Sequence, residues 1–299
     1  MQTLSPIIIF AFNRPDSLTA AINAILRNPE AKDSDLFIFV DGYRNDKADE
    51  KEKVDAVRKI ASEIKGFRSL KCVFSNTNKG LGPSIINGVN DIITKYGRVI
   101  VIEDDLIVQP NFLAFMNRAL NHYETTEKVW SICGYTNKIS LPKNYNKDAY
   151  FCTRSSSWGW GTWVDRWQSV DWTFNNWNEW KKHKKAFNSW GGSDCFGMLQ
   201  SCKEGRNKSW AIRFCFAQFM QKRLSLFPIK SLVDNRGFDG QGTNCKKYSR
   251  FKFDLMTNEK KKFILPEAIE LDIKIHHQAL FYHSVPLRLW SRLMYLFNK

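Results

Sequence analysis

The first third of the chain alternates short unbroken apolar runs with longer stretches in which apolar residues recur every three or four positions. Pro6-Ile7-Ile8-Ile9-Phe10-Ala11-Phe12 reads as a buried strand, and Leu18, Ala21, Ile22, Ile25 and Leu26 then share one helical face. Between them lies Asn13-Arg14-Pro15, with Asn13 suited to cap the helix and Pro15 to its first turn. Leu36 to Val40 is a second strand, closing on Asp41-Gly42. A helix with Val54, Val57, Ile60, Ala61 and Ile64 on one face follows and ends at Gly66. Leu70 to Phe74 is a third strand, 76–82 is a loop, and Ile85, Ile86, Val89, Ile92 and Ile93 line a third helix. A fourth strand, Val99-Ile100-Val101-Ile102, runs straight into Glu103-Asp104-Asp105.

Unbroken apolar runs are what parallel strands buried on both faces look like. Strand and helix alternate four times by Asp105, which predicts an α/β fold: a doubly wound, mostly parallel central sheet flanked by helices. In that topology the carboxyl ends of the strands converge on one crevice. Here those ends carry Asn13-Arg14, Asp41, Asn76-Asn78-Lys79 and Glu103-Asp104-Asp105, a set that predicts a nucleotide or phosphate site. Three adjacent carboxylates repel one another and need solvent or a cation to neutralise them.

The chemistry follows in outline. Neither a GxGxxG fingerprint after the first strand nor a GxxxxGK[ST] loop is present, so a dinucleotide site and a P-loop are not indicated. Asp41 can accept hydrogen bonds from a base or ribose, and Arg14 and Lys79 can face phosphate oxygens. Asp105 supplies a hard oxygen for Mg²⁺ or Mn²⁺, and such an ion would stabilise charge on a departing diphosphate.

Composition narrows the setting. The 299 residues carry a net charge of +15, which predicts attraction to anions: nucleic acid, an acidic membrane surface or a phosphorylated substrate. Seven scattered cysteines without a CxxC pair argue against a disulfide framework or structural zinc and fit a reducing compartment. Met1 leads into strand-like sequence without a basic flank and apolar segment, and no apolar run reaches the roughly 18–20 residues that span a bilayer. A cytoplasmic location is expected.

Beyond the acidic cluster, Phe112, Phe115, Met116 and Leu120 mark a helix, and Val129 to Gly134 a short strand. Nine of the eleven tryptophans are concentrated between Trp158 and Trp210. In Trp158-Gly159-Trp160-Gly161-Thr162-Trp163 the glycines let the backbone bend, and Trp158, Trp160 and Trp163 offer flat faces on which a sugar could stack; core packing is the competing reading. Lys181, Lys182, Lys184 and Lys185 read as a solvated helix face, with contact to a phosphorylated acceptor or anionic lipid as the alternative. A helix starts near Ser209-Trp210, Leu224 to Val233 is strand-like, and 235–244 is a glycine-rich loop holding Asp239. The tail from about Leu280 sets Leu287, Leu289, Trp290 and Leu293 beside Arg288 and Arg292, the pattern of a basic membrane-surface helix and equally of a helix docked on its own domain.

The first strand through Asn13-Arg14-Pro15, the Asn78-Lys79-Gly80-Leu81-Gly82 loop and the Glu103-Asp104-Asp105 strand end, followed by Gln109-Pro110-Asn111-Phe112, resemble a GT-A glycosyltransferase. More narrowly they are similar to the family-2 enzymes and the N-acetylglucosaminyltransferase I-like group, whose DxD-type motif is written EDD. The resemblance covers roughly 5–175 and weakens towards 245. It implies a hexosyltransferase-type enzyme that moves a sugar, with inversion, from a nucleoside diphosphate sugar, UDP favoured, to a glycan or lipid-linked glycan. By the same resemblance Asp41 would hold the base, Arg14 the diphosphate, Glu103 and Asp104 the ribose and donor sugar, and Asp105 the metal. Residues 1–130 would be the donor half, 131–250 the acceptor half, and 251–299 a helical tail that could associate with a membrane.

Inversion needs a general base on the acceptor hydroxyl. Relatives place an acid after a tryptophan at the helix start; here Trp210-Ala211-Ile212 has none. Asp239 is the favoured candidate, ahead of Asp165 and Asp194. Two rivals stand beside this reading. A sugar-phosphate nucleotidyltransferase would want a glycine-rich basic loop where this chain has Asn13-Arg14-Pro15. A basic nucleic-acid-binding protein would not need acids at the strand ends, so no nucleic acid is expected.

Overall fold

The structure, a computed structural model, describes residues 4–47, 49–237, 250–257, 260 and 262–297. The amino-terminal part alternates β1 (Ile7–Ala11), α1 (Pro15–Leu26), β2 (Asp35–Val40), α2 (Glu50–Glu63), β3 (Ser69–Phe74), α3 (Leu81–Tyr96) and β4 (Arg98–Glu103). Next come β5 (Leu106–Val108), α4 (Phe112–His122), β6 (Val129–Cys133), β7 (Ala149–Cys152) and β8 (Trp160–Trp163). Helices follow: α5 (Val164–Gln168), α6 (Trp177–Trp180), α7 (Lys184–Gly191), α8 (Cys195–Lys203) and α9 (Trp210–Met220). The chain continues through β9 (Leu224–Pro228), β10 (Val233–Asn235), α10 (Ile273–Phe281) and α11 (Val285–Phe297).

Among the described residues, eight strands form one sheet in the order β3-β2-β1-β4-β8-β6-β9-β7. The first four are parallel; β8 runs antiparallel to both β4 and β6, β9 is parallel to β6, and β7 closes the edge antiparallel to β9. This is the α/β architecture expected, a large and mostly parallel sheet with helices on both faces.

Period-two alternation along each strand sends neighbours to opposite faces. Ile7 and Ile9 of β1 join the core under α1, α2 and α4, while Ile8 and Phe10 join the core with α3 and α9. The register sets Phe10 opposite Glu103 and Ala11 opposite Val40, so the polar ends of β1, β2 and β4 lie side by side. β3 is an edge strand with largely exposed residues, whereas β7 at the other edge is covered by α10.

Two local expectations are corrected. Asn13 does not cap α1; Arg14 is the cap residue, without a side-chain capping bond, and Asn13 Nδ2 instead donates to Glu50 Oε1 at 3.1 Å. The tryptophan–glycine segment, whose glycines suggest a bending backbone with open ring faces, holds a strand instead. It contains β8, wedged between β4 and β6, where Gly161 lets two backbones approach closely: a Cβ there would stand 2.7 Å from the Val99 carbonyl oxygen.

Candidate functional site

A cleft of about 860 Å³ opens at the carboxyl ends of β1, β2, β3 and β4. Its lining includes Asn13, Arg14, Asp41, Lys79, Glu103, Asp104, Asp105 and Trp158, so the sheet brings together every donor-side residue proposed from sequence, the metal candidate and one of the three tryptophans.

Asp104 is buried where β4 ends, and Arg14 reaches it from the cap of α1: Arg14 Nη2 donates to Asp104 Oδ1 at 2.9 Å and to Asp105 Oδ2 at 3.3 Å. The Phe12 amide donates to the other Asp104 oxygen at 3.2 Å. Asp104 therefore ties the end of β1 to the end of β4. Burial pushes its carboxyl up to about 6, against the Arg14 charge that pulls it down. Glu103 is pushed up to about 8, first by burial and then by the charges of Asp105 and Asp104. The cluster is short of positive charge.

Asp105 points towards the segment after β10. The Arg236 amide donates to its carbonyl at 3.0 Å. A Cβ placed on Gly237 would lie 2.4 Å from Asp105 Oδ2 and 3.0 Å from Asn235 Oδ1, so both oxygens face the same small space. Asn235 also lines the cleft. Among the described residues no three His, Cys, Asp or Glu side chains are arranged as a metal set. Asp105 Oδ2 and Asn235 Oδ1 are hard oxygens, the donor type that Mg²⁺ or Mn²⁺ would take together with substrate phosphate and water.

Asp41 is held differently. Its carboxylate accepts from the amides of Gly42 at 2.9 Å, Lys79 at 2.9 Å and Gly80 at 2.8 Å, which clamps the loop before α3 onto the end of β2. The Lys79 side chain stands exposed at the rim.

The far wall comes from Arg206, Asn207, Lys208, Ser209 and Trp210. Gly82 makes the meeting of the two walls possible, since a Cβ there would sit 2.3 Å from the Lys208 carbonyl oxygen. Ser209 caps α9, its hydroxyl accepting from the Ile212 amide at 3.3 Å. Trp210 is held from behind by the aromatic core: its ring stacks 4.7 Å from that of Trp160, which in turn stacks 5.6 Å from Trp167.

That packing corrects part of the acceptor assignment. Trp160 and Trp163 are buried in the two cores on opposite faces of the sheet, and the Trp163 indole donates to the Leu120 carbonyl at 3.1 Å. Neither lines the cleft, because large rings between two sheet neighbours gain more from burial than from water. Trp158 alone of the three borders it, set edge-on to Tyr135 with ring centres 4.4 Å apart. Trp158, Ser157, Met198, Ser209 and Ala211 also border a second cavity of about 230 Å³, which lies beside the cleft.

Of the candidate bases, Asp239 lies outside the described residues. Asp165 chelates Arg166 at 2.7 and 2.8 Å away from the cleft lining. Asp194 is buried; burial alone would raise it, but Arg154 at 2.7 Å holds it down at about 2.

Sequence reasoning missed Arg44 and Glu50. The Glu50 carboxylate accepts from the Arg44 amide at 2.7 Å and from Arg44 Nε at 3.0 Å, and so folds the loop after β2 over the cleft, with Arg44 above the Phe12 ring. Glu50 sits in the charged run 44–53, which reads as solvated surface, and nothing there marks it as buried. Arg206 and Lys208 were equally hidden in a polar turn.

No protein-family model matches the chain, and no curated protein matches it. Among solved structures, the chain is similar to a crystal structure of S. aureus TarS 1-349, with a TM-score of 0.44 and 10% identity over 77% of this chain and 60% of that one. A crystal structure of S. aureus TarS aligns at 0.34 with 12% identity, over 50% of this chain and 25% of that one. The apo structure of the bifunctional glycosyltransferase WbbM aligns at 0.28 with 12% identity, over 45% and 23%. The chain thus spans less than two thirds of each. No activity follows from likeness this distant; the cleft itself supports the functional reading.

Proposed function

We propose that the cleft binds a nucleoside diphosphate sugar and transfers its sugar to a glycan or lipid-linked glycan acceptor. The observation that carries this reading is the juxtaposition of a crowded acidic cluster with Arg14, Lys79, Arg206 and Lys208 around one cleft of about 860 Å³. Cations on both walls suit the oxygens of a diphosphate, and Arg14 is the one already fixed at the acidic end. Asp105, with Asn235 beside it, is the proposed contact for Mg²⁺ or Mn²⁺. A bound ion would screen the diphosphate as it departs.

The chain's own residues do the rest. Asp41 holds the 79–80 amides so that the loop forms a fixed floor next to the base end, where Phe12 and Phe74 supply apolar surface. Asp104 keeps Arg14 aimed at the cleft. Trp158 and the adjoining cavity are proposed to receive the acceptor. Inversion with Asp239 as base and a UDP sugar as donor are the finer forms of the proposal, both supported by the resemblance.

The test is release of nucleoside diphosphate from UDP and GDP sugars with Mn²⁺, followed by mass spectrometry. Slow release by the wild type that Asp105→Ala removes supports the reading. Intact donors with every sugar nucleotide overturn it, and so does release that Asp105→Ala leaves unchanged.

A further inference from the structure

We infer that α10 and α11 form a docking face for an anionic lipid surface, with α11 lying in the plane of the interface. On α11, Val285, Leu289 and Leu293 recur every four residues with Trp290 beside them, and each is more than half exposed. Ile273 and Phe281 of α10 are also more than half exposed. Water-facing residues of this size are ordinary when scattered, but six on two consecutive helices, with Trp290 among them, form a patch that a soluble surface does not keep bare without use.

The charge identifies the occupant. From Ile273 to Lys299 the sequence contains no Asp or Glu, while Lys274, Arg288, Arg292 and Lys299 fall within it. Lys274 and Arg292 are exposed at the margins of the apolar residues. A second copy of the chain would bring the same cations and repel, whereas acidic headgroups complement the rim and acyl chains the apolar stripe. No helix among the described residues is long and apolar enough to cross a membrane, and α11 has 13 residues, so the geometry is that of a helix lying on the surface.

The opposite side of the pair is anchored to the body. Ile275 and Ala279 pack against Tyr150, Cys152 and Phe227. Tyr282 Oη donates to the Lys138 carbonyl at 3.0 Å, and Ser193 Oγ to the His283 carbonyl at 2.8 Å. Arg288 Nη1 donates to Ser193 Oγ at 3.2 Å. The exposed stripe is thus held rigidly outward. The same helix pair contributes Ala279, Leu280 and His283 to the cavity beside the cleft, so a membrane on this face would lie one helix away from it.

The experiment is flotation of the full chain with vesicles of phosphatidylcholine alone and of phosphatidylcholine mixed with phosphatidylglycerol. Wild type floats with the anionic vesicles, and salt weakens it. Lys274→Gln and Arg292→Gln each weaken binding about fivefold. The double variant Leu289→Glu/Trp290→Glu loses about a hundredfold or more, with its circular dichroism and melting unchanged. Brominated anionic lipid quenches a component of the tryptophan emission that Trp290→Phe lacks. The proposal is overturned if neither vesicle binds, if the double variant binds as wild type does, or if the double variant instead dissolves an oligomer. None of these residues lines the cleft, so a failure here leaves the glycosyl-transfer reading standing.

Discussion

Arg14 Nη2 stands 2.9 Å from Asp104 Oδ1 and 3.3 Å from Asp105 Oδ2, so one guanidinium spans two consecutive carboxylates from a different strand end. Both line the cleft, Asp104 as the buried member and Asp105 as the more exposed one. Such a pair is structural on one side and available on the other.

Arg14→Ala leaves Asp104 buried beside Asp105 and Glu103 with no cation in contact. Removing one partner of a largely buried pair costs on the order of 2–4 kcal/mol of stability. Asp104→Asn in the same background recovers part of that loss, since a neutral amide no longer needs the guanidinium. Chemical denaturation of the two single variants and the double reads this coupling; strict additivity would contradict it.

The raised carboxyls of Glu103 and Asp104 give a pH prediction for the metal-free protein. Their folded values lie above the ordinary carboxylate range, so the stability they contribute is fully present below about pH 4 and is lost as pH rises through about 6 and then about 8. Melting temperature should therefore fall over that window. Glu103→Gln should flatten the upper part of the fall, and added Mn²⁺ should restore more stability at pH 8 than at pH 6. A wild-type profile that the variant reproduces would contradict the assignment.

Trp158 and Trp160 should separate cleanly. Trp160→Ala removes a buried ring stacked on Trp167 and Trp210 and costs about 3–5 kcal/mol. Trp158→Ala touches the border of the cleft, so it costs less stability and raises the KM for acceptor more than it lowers kcat. Thermal melts with steady-state kinetics distinguish the two.

Glu50→Ala frees the loop after β2. Glu50 is buried and holds both Arg44 and Asn13, so the loss is on the order of 1–3 kcal/mol, with weaker nucleotide binding because Arg44 no longer sits over Phe12. Glu50→Gln keeps the hydrogen-bond reach and should lose less.

The first four strands and three helices were legible because β1, β2 and β4 are buried on both faces, which leaves unbroken apolar runs that punctuate the helices, and each helix buries one face. β7 and β8 were not. Ala149–Cys152 is only four residues, and Trp160–Trp163 carries Gly161, whose missing side chain is a packing requirement against Val99 that no local pattern displays. The acidic cluster, Arg14, Asp41 and Lys79 were legible because strand ends announce themselves where apolar runs stop. Glu50, Arg206 and Lys208 reach the cleft from distant segments of charged sequence, where a buried carboxylate or a cleft-lining cation looks like any solvated one. Trp160 and Trp163 misled for a related reason, since an aromatic run reads alike in a sugar-binding loop and a strand core.

The central claim is that Asp105 and the cations around it form a metal-assisted nucleoside diphosphate site, and calorimetric titration of UDP and GDP with and without Mn²⁺ tests it most directly. The account predicts that one nucleotide binds, that Mn²⁺ tightens it by about tenfold or more, and that Asp105→Asn removes the metal's effect while the fold persists. Binding of neither nucleotide under either condition, or a Mn²⁺ effect that survives in Asp105→Asn, would contradict it.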